Sequence, residues 1–369
     1  MKSSITKILR FIKIYGVLRT LTKVAGRMRL PIAIWRILSL RYPIKSGMTI
    51  GIVGCGQFSY SAIAYFLTTS TKNKIAWCVD INIDAAKSLA SAYGIENYSG
   101  SYSDYLHDTD LVYIASNHAS HTSYAIECLK NDCDVYIEKP ISTTWEQFNE
   151  LIAVAKLTQR KIYVGYNRPH APSINLIRNH ITDKSKPFTL SCFITGYYIP
   201  DDHWYRDPKE GTRVCGNLGH WLDLAVHMIY WGGVAPSDVN ISISYSNKET
   251  ASDNFSAVIC TPRGDLITLT FSSRSEPFEG VNESINFQQG NLIAKSNDHR
   301  QVQIWIDEKY IKRRFWPKNV GHKAAILQPF DNTIKRDWEE LVVSTELMLV
   351  ITDMVKNLET NRTHEFLNK

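Results

Sequence analysis

The stretch MTIGIVGCGQFSY, residues 48–60, decides the fold. A compact β-type run, residues 49–53, leads into Gly54-x-Gly56-x-x-Ser59, and the residues after it have a helical pattern. Gly54 permits a tight turn, Gly56 lets a pyrophosphate approach the backbone, and a small residue at Ser59 allows the helix to pack closely on the strand. The stretch therefore predicts a Rossmann unit whose helix N-terminus binds a dinucleotide.

The next strand identifies the expected cofactor. The run KIAWCVD ends in Asp80, 21 residues after Ser59. A carboxylate at this place accepts hydrogen bonds from the adenosine ribose and repels a 2′-phosphate, so we predict NAD, with NADP as the alternative. Gln57 and Phe58 of the loop complete the expected cradle.

Strands and helices continue to alternate after Asp80, which predicts a parallel sheet with helices on both faces. Ligands of such sheets bind at the carboxyl ends of the strands. The strand VYI of residues 135–137 ends there in Glu138-Lys139-Pro140. Polar residues that follow the strands, and so are expected at the cofactor, are Ser116, Asn117, His118, Glu138, Lys139 and Asn167.

Composition limits the other classes. A chain of 369 residues suits two domains, and its seven scattered cysteines contain no Cys-x-x-Cys pair. This favours a reducing, cytoplasmic compartment over a disulfide framework or a zinc site, and we expect no metal. No apolar run reaches the ~18 residues of a membrane span, and no signal peptide is recognisable.

The basic charge is confined to residues 1–47, which carry eleven Lys or Arg and no acid, whereas the remaining chain has 31 basic and 36 acidic residues. Lys/Arg alternate there with Ile, Leu and Phe at helical spacing, and we expect Gly16 and Gly26 to break the segment into short helices, with a second apolar stretch from Pro31. One interpretation is a helix on an anionic membrane surface, whose removal would spare the cofactor site; the other is an arm packed on its own domain or on another subunit. Nucleic-acid binding is not expected, because the body is net negative.

Several segments resemble, in order, those of the Gfo/Idh/MocA oxidoreductases: GIVGCGQFS, the Glu-Lys-Pro triplet within YIASNHASHTSYAIECLKNDCDVYIEKPIS, and VGYNRPHAPS. The resemblance implies an N-terminal Rossmann domain and a C-terminal α/β domain with a large, mostly antiparallel sheet, often an oligomer interface. Period-2 runs such as DVNISISYS support that sheet independently. The expected domains are the extension 1–47, the Rossmann domain 48–168 and the substrate domain 169–369. The resemblance places His121 near the cofactor and makes Lys139 the active-site lysine.

The stretch HWYRDPKEGTRVCGNLGHWLDLAVHM, residues 203–228, looks most like a polysaccharide-biosynthesis branch of this family. The branch pattern places its histidine at His220 and its final aspartate at Asp223; Thr212 and Asn217 depart from it, where a glycine and an acid are usual. The resemblance implies hydride transfer at a sugar carbon, with Lys139 stabilising the alkoxide and His220 relaying the proton. The expected substrate contacts are Lys139, Arg206, Asn217, His220 and Asp223, and the motif NVGHKAAI adds His322 and Lys323.

Asn217 leaves alternatives open, because an amide cannot take up a proton. A nucleotide-binding partner protein with little turnover, and a non-redox enzyme that uses NAD transiently, share the same residues. The sequence does not identify the sugar, the carbon or the direction of the reaction. A nucleotide-activated sugar is the expected substrate class, and a homo-oligomer is the expected assembly.

Overall fold

The computed structural model describes residues 2–29, 47–71, 73–275 and 278–367. The chain folds as two compact units. The first comprises Met1–Gly165 with His322–Arg336, and the second comprises Tyr166–Gly321 with Asp337–Lys369.

This division differs from the expected domains in three ways. The chain leaves the first unit at Gly165 rather than at residue 168, and residues 322–336 return to the first unit although they were expected in the second domain. The described part of the extension also folds with the first unit and does not form a separate body. Residues 322–336 return because their apolar side chains complete the core of the first unit. Ile326 is fully buried in that core, and the Tyr113 hydroxyl donates a 2.7 Å hydrogen bond to the Ile326 carbonyl.

A six-stranded sheet forms the centre of the first unit, and every pair of neighbouring strands is parallel. The strand order is β3-β2-β1-β4-β5-β6, which is that of a doubly wound Rossmann sheet. The predicted alternation is therefore confirmed. Its strands are β1 Thr49–Val53, β2 Lys74–Val79, β3 Asn97–Ser99, β4 Leu111–Ile114, β5 Asp134–Ile137 and β6 Ile162–Val164.

The helix after β1 opens with a π-helical turn at Ser59–Ile63, and π-helical turns often occur at functional sites. Gly94 ends the helix after β2, because it caps that helix in the left-handed conformation at φ 68°. The α-helices of the first unit are α1 Lys2–Tyr15, α2 Val17–Met28, α3 Ala64–Ser70, α4 Ile83–Tyr93, α5 His121–Lys130, α6 Trp145–Thr158 and, from the returning segment, α9 His322–Leu327.

The N-terminal segment forms two helices that break at Gly16 as expected, but α2 continues through Gly26. A helix tolerates glycine where close packing requires it, and a Cβ at Gly26 would lie 3.0 Å from the Tyr60 ring. Ala25 is fully buried in the core of the first unit. Helix α2 thus packs on the helix that follows the glycine-rich loop, and the expectation that removal of the segment spares the cofactor site stays a prediction. The apolar stretch from Pro31 lies outside the described residues.

A nine-stranded sheet forms the second unit, in the order β14-β13-β12-β11-β7-β10-β9-β8-β15. All its pairs are antiparallel except β7 with β10, so the expected large, mostly antiparallel sheet is confirmed. Its strands are β7 Phe188–Gly196, β8 Asp238–Tyr245, β9 Asn254–Cys260, β10 Leu266–Ser272, β11 Val281–Gln289, β12 Leu292–Asn297, β13 Gln301–Ile306, β14 Lys309–Arg314 and β15 Asn361–Glu365.

Alternate residues of these strands are buried, because the helices of the second unit cover one face of the sheet. The contacts of α8 show this covering: the Trp231 ring, just after its end, lies 5.8 Å from that of Phe287 on β11. The α-helices are α7 Pro172–His180, α8 Gly219–Tyr230, which continues a π-helical turn at Val214–Leu218, and α10 Trp338–Lys356.

Candidate functional site

The glycine-rich loop after β1 has the shape that a dinucleotide requires. Gly54 has φ +88°, and a Cβ there would lie 2.5 Å from the Ala115 carbonyl oxygen, so only glycine fits. A Cβ at Gly56 would meet no atom within 4 Å, which leaves the backbone open to an approaching phosphate. The buried Ser59 donates a 2.5 Å hydrogen bond from Oγ to the Gly54 carbonyl and so ties the helix to the loop.

Asp80 lies beside this loop at the carboxyl end of β2. Its Oδ2 accepts a 2.7 Å hydrogen bond from the Cys55 N–H, and its Oδ1 accepts a 2.8 Å hydrogen bond from the Asn82 N–H. Each carboxylate oxygen can accept a second bond, so Asp80 can serve ribose hydroxyls while it fixes the loop. This donor and acceptor set fits a dinucleotide: loop amides for the pyrophosphate and a carboxylate for the ribose.

Residues 322–336, which return to the first unit, also contact the glycine-rich loop. The His322 ring at the start of α9 lies 5.6 Å from the ring of Phe58, and Gln57 is exposed. His322 and Lys323, expected in the substrate domain, therefore belong to the first unit, and His322 lies near the cofactor loop.

Glu138 and Lys139 follow β5 at the carboxyl edge of the parallel sheet, as predicted. Glu138 is buried, whereas Lys139 is half-buried and precedes Pro140 through a cis peptide bond. The Tyr136 hydroxyl donates a 2.9 Å hydrogen bond to Glu138 Oε1. Burial raises the pKa of Glu138 to about 7, and the positive charge of Lys139 opposes this rise. The edge therefore carries a carboxyl group that titrates near neutral pH beside a cation.

His121 at the start of α5 is buried and contacts two loops at this edge of the sheet. Its Nδ1 lies 2.8 Å from the Pro140 carbonyl oxygen and its Nε2 lies 3.2 Å from that of Ser116. Burial lowers its pKa to about 4, so the ring is neutral at physiological pH. His121 thus links the loops that follow β4 and β5, a positioning contact that the sequence alone did not indicate.

The other predicted cofactor residues are divided between the two units. Ser116, Asn117 and His118 follow β4; Asn117 is exposed, Ser116 is half-buried and His118 is buried. Asn167 belongs to the second unit, where its amide donates to the Val320 carbonyl. The first three thus follow a strand of the predicted edge, and Asn167 is held by the second unit.

In the second unit, the π-helical turn before α8 carries Asn217, and His220 follows in the first turn of α8. Asn217 Oδ1 is buried and accepts no hydrogen bond from the described residues. His220 is half-buried with its ring 6.1 Å from that of Tyr166, and Asp223 is fully buried. A buried acceptor without a partner is costly, and a bound hydroxyl group would satisfy it.

A buried carboxylate that sequence reasoning missed fixes the neighbours of these residues. Glu283 on β11 accepts hydrogen bonds of 3.0 Å from Arg168 Nε and Nη2 and of 2.7 Å from Trp221 Nε1. Burial alone would raise the pKa of Glu283, but Arg168 and His299 beside it hold that pKa below its usual range. Glu283 thereby holds Arg168, which follows Asn167, and Trp221, which follows His220. The available signal was its register, because it shares the inward face of β11 with Ile285 and Phe287.

Arg206, expected at the substrate, is already paired. Its Nη2 lies 2.9 Å from Asp253 Oδ2 and donates a 2.7 Å hydrogen bond to the Ile199 carbonyl. The neighbouring aromatic residues are more open, since Trp204 is exposed and its ring lies 4.3 Å from that of Tyr205.

Within the described ranges, no three His, Cys, Asp or Glu side chains are grouped to hold a metal ion. All seven cysteines are free of disulfides. None of the helices in the described ranges combines the length and apolarity that crossing a membrane requires.

The parallel sheet, the glycine-rich loop and Asp80 define a dinucleotide-binding protein. Residues 48–166 match the Gfo/Idh/MocA family, the oxidoreductase family with an NAD-binding Rossmann fold. Residues 48–166 therefore form an NAD(P)-binding Rossmann domain of the Gfo/Idh/MocA oxidoreductase family. The resemblance seen in its motifs is thereby confirmed for the family.

The chain is 28% identical over 314 residues to Oxidoreductase P35 of Formosa agariphila, covering 76% of this chain and 92% of that relative. It is 28% identical over 183 residues to the uncharacterized oxidoreductase YrbE of Bacillus subtilis, covering 48% of this chain and only 50% of that relative. Its fold is similar to that of the UDP-N-acetylglucosamine 3-dehydrogenase GnnA of Acidithiobacillus ferrooxidans, with a TM-score of 0.68, 16% identity, and coverage of 86% of this chain and 100% of the other.

Proposed function

We propose that this oxidoreductase acts on a hydroxyl or keto group of a nucleotide-activated sugar in surface polysaccharide biosynthesis. The observation that supports the redox role best is the pair of Lys139, half-buried, and Glu138, buried, at the carboxyl edge of the parallel sheet. The substrate class is supported by the branch motif around His220 and by the likeness of the fold to a UDP-sugar dehydrogenase.

In this proposal each residue has a distinct role. When bound, NAD(P) accepts or supplies the hydride at its nicotinamide ring. The Lys139 ammonium stabilises the negative charge that develops on the substrate oxygen, and His220 takes or returns the hydroxyl proton. Asn217 accepts a hydrogen bond from a substrate hydroxyl through its buried Oδ1, and Glu138 orients Lys139.

Substrate binding draws on other side chains of the second unit. Asp223 and Arg206 contribute polar contacts, and the rings of Trp204 and Tyr205 offer an aromatic platform, because Trp204 is exposed and Tyr205 half-exposed at the start of the branch motif. The Asp253 carboxylate holds the Arg206 guanidinium in a fixed orientation. A fixed guanidinium suits a phosphate of a nucleotide sugar.

The decisive experiment measures NADH and NADPH release while a panel of UDP-sugars is offered with each oxidised cofactor. Stoichiometric release with one sugar supports the proposal. Cofactor binding without release and without product identifies the low-turnover partner protein, and a new sugar without net release identifies the non-redox enzyme.

We propose further that the enzyme is cytoplasmic and lies on an anionic membrane surface through its N-terminal helices. One face of α2 packs on the first unit, while Val17, Leu21 and Met28 are 58, 43 and 63% exposed. At 100° per residue these three lie within about 40° of one another, so they form one apolar stripe. Exposed cations accompany the stripe: Lys7, Arg10, Lys13 and Arg27.

An acid-free, cation-rich helix with an exposed apolar stripe complements anionic lipid, to which each cation near the surface adds about 1 kcal/mol. Sedimentation with anionic and with neutral vesicles tests this. The full chain should bind only the anionic vesicles, and the double change Val17→Asp with Leu21→Asp should abolish binding. Leu157→Asp on α6, which is 82% exposed, is the matched control and should bind normally. Absence of binding by the unaltered chain, with the stripe instead pairing two copies in light scattering, would reject the membrane role.

The homo-oligomer also stays a proposal. The uncovered face of the nine-stranded sheet exposes apolar side chains, among them Phe193 at 54% and Tyr310 at 51%. Large exposed apolar patches are typical of interfaces, and a second copy of this sheet is the expected partner. Light scattering of the chain with Phe193→Asp tests the assignment.

A further inference from the structure

Helix α2 ends at Arg29, a residue that has an unusual backbone conformation and contacts the cofactor loop. Arg29 has φ 51° and ψ 35°, in the left-handed region that favours glycine, and its N–H caps the helix by donating to the Ala25 carbonyl. A non-glycine residue in this region costs about 1 kcal/mol or more, so such positions often have a functional reason. Here the side chain reaches the glycine-rich loop, where Nη1 donates a 2.7 Å hydrogen bond to the Cys55 carbonyl.

Cys55 is the residue between the two glycines of the loop, and opposite charges hold its two backbone polar groups. The Arg29 guanidinium binds its carbonyl, and the Asp80 carboxylate binds its N–H at 2.7 Å. These contacts fix the peptides on either side of Cys55, and the following Gly56 keeps the open backbone that a phosphate approaches. Arg29 therefore binds the carbonyl of Cys55, while Asp80, which is expected to bind the ribose, binds its N–H.

Helix α2 is anchored firmly enough to place Arg29. Ala25 is fully buried, and the Arg19 side chain donates to the Ser61 carbonyl of the π-helical turn while it lies 4.6 Å from the Phe66 ring. The segment up to residue 47 has no acidic residue, so no carboxylate of its own neutralises Arg29. The π-helical turn and helix α3, which follow the loop, thus hold α2 in place, and α2 in turn places Arg29 against the loop.

We propose that Arg29 is a positioning residue of the dinucleotide site, contributed by a segment outside the matched family domain of residues 48–166. It fixes the Cys55 peptides in the shape that the pyrophosphate requires and adds a positive charge near the two phosphates. The inference rests on dinucleotide binding and not on the identity of the sugar.

Calorimetric titration of the full chain with NAD⁺, NADP⁺, ADP-ribose and adenosine tests this inference. Arg29→Gln should weaken NAD⁺ and ADP-ribose about tenfold, the size of one lost charge-assisted hydrogen bond, while adenosine, which has no phosphate, changes little. Arg29→Lys should restore part of the affinity because it keeps the charge. Arg27→Gln removes an equal charge from the exposed side of the same helix end and should bind like the unaltered chain.

Two further measurements separate this role from a loss of stability. Arg29→Gly suits the left-handed backbone, so its melting temperature should not fall, yet its NAD⁺ affinity should fall as in Arg29→Gln. The affinity of the unaltered chain should also depend more steeply on salt than that of Arg29→Gln. The inference is overturned if Arg29→Gly or Arg29→Gln binds NAD⁺ within twofold of the unaltered chain, or if adenosine weakens as much as ADP-ribose. A chain that binds NAD⁺ in this Arg29-dependent way but oxidises no sugar would reject only the proposed function.

Discussion

The Tyr136 hydroxyl donates a 2.9 Å hydrogen bond to Oε1 of Glu138, two residues further along the chain. Side chains two residues apart along a strand lie on the same face of the sheet, and both of these side chains are buried. A Cβ at Gly165 on the neighbouring segment would come within 2.4 Å of the same oxygen, so glycine leaves the space that this carboxyl fills. The buried carboxyl next to Lys139 is thus part of the packed core and has little room to move.

Glu138→Gln should change how the stability of the protein depends on pH. Burial raises the pKa of Glu138 from 4.5 to about 7, so the folded chain keeps this proton where the unfolded chain has lost it. The free energy of unfolding of the unaltered chain therefore falls as pH rises from about 4.5 to about 7, by up to roughly 3 kcal/mol. Glutamine does not ionise, so the Glu138→Gln variant keeps this stability as pH rises. Its melting temperature should therefore increase relative to that of the unaltered chain between about pH 5 and pH 7.

Thermal melts of both chains between pH 5 and pH 8 check this. Glu150→Gln on α6, an exposed position, is the control and should follow the unaltered chain at every pH. A constant difference between Glu138→Gln and the unaltered chain across this range would show that Glu138 does not titrate there.

Lys139→Ala should lower turnover by ~10²-fold or more and leave NAD affinity nearly unchanged, since its ammonium acts on charge that develops in the transition state. His220→Ala should behave likewise. Steady-state rates on the sugar found in the cofactor-release screen, with calorimetric NAD⁺ titration, measure both effects. Lys130→Ala on the exposed side of α5 is the control. Turnover of Lys139→Ala equal to that of Lys130→Ala would remove Lys139 from the mechanism.

Asn217→Glu tests the departure from the branch pattern. A carboxylate three residues before His220 faces the same side of the helical segment, and an opposite charge at such spacing raises the pKa of a histidine by about one unit or more. The pH–rate profile should shift upward or turnover should rise. Asn217→Gln, which adds the same length without charge, should do neither. Identical profiles for both variants would mean that the amide is a neutral replacement.

Asp80→Asn should weaken NAD⁺ binding about tenfold or more and narrow the preference for NAD⁺ over NADP⁺. The amide keeps the size of the side chain, but it removes the charge that repels a 2′-phosphate and weakens the bonds to ribose. Dissociation constants for both cofactors measure the change. If their ratio is the same in both chains, Asp80 holds only the loop through Cys55 and does not select the cofactor.

Local patterns in the sequence determined the Rossmann unit. The turn at Gly54 needs a positive φ, the strand before it alternates with helices at regular spacing, and Gly94 stops its helix, so each element could be read from a few adjacent residues. The position of Asp80 and of the Glu138-Lys139 pair followed from the same reasoning, because parallel strands all end at one edge. The mostly antiparallel sheet followed from period-2 runs and from the resemblance.

Tertiary structure alone decided the contacts between distant segments. Glu283 lies 115 residues from Arg168 in the chain, and only the packing of β11 against the segment of residues 166–170 brings them together. Residues 322–336 return to the first unit because their apolar side chains fill its core, which no local pattern records. Arg29 is one of eleven similar cations in residues 1–47, and only the docking of α2, through Ala25 and Gly26, brings its side chain to Cys55. Local spacing fixes which element forms, whereas shape complementarity between elements fixes which side chains meet.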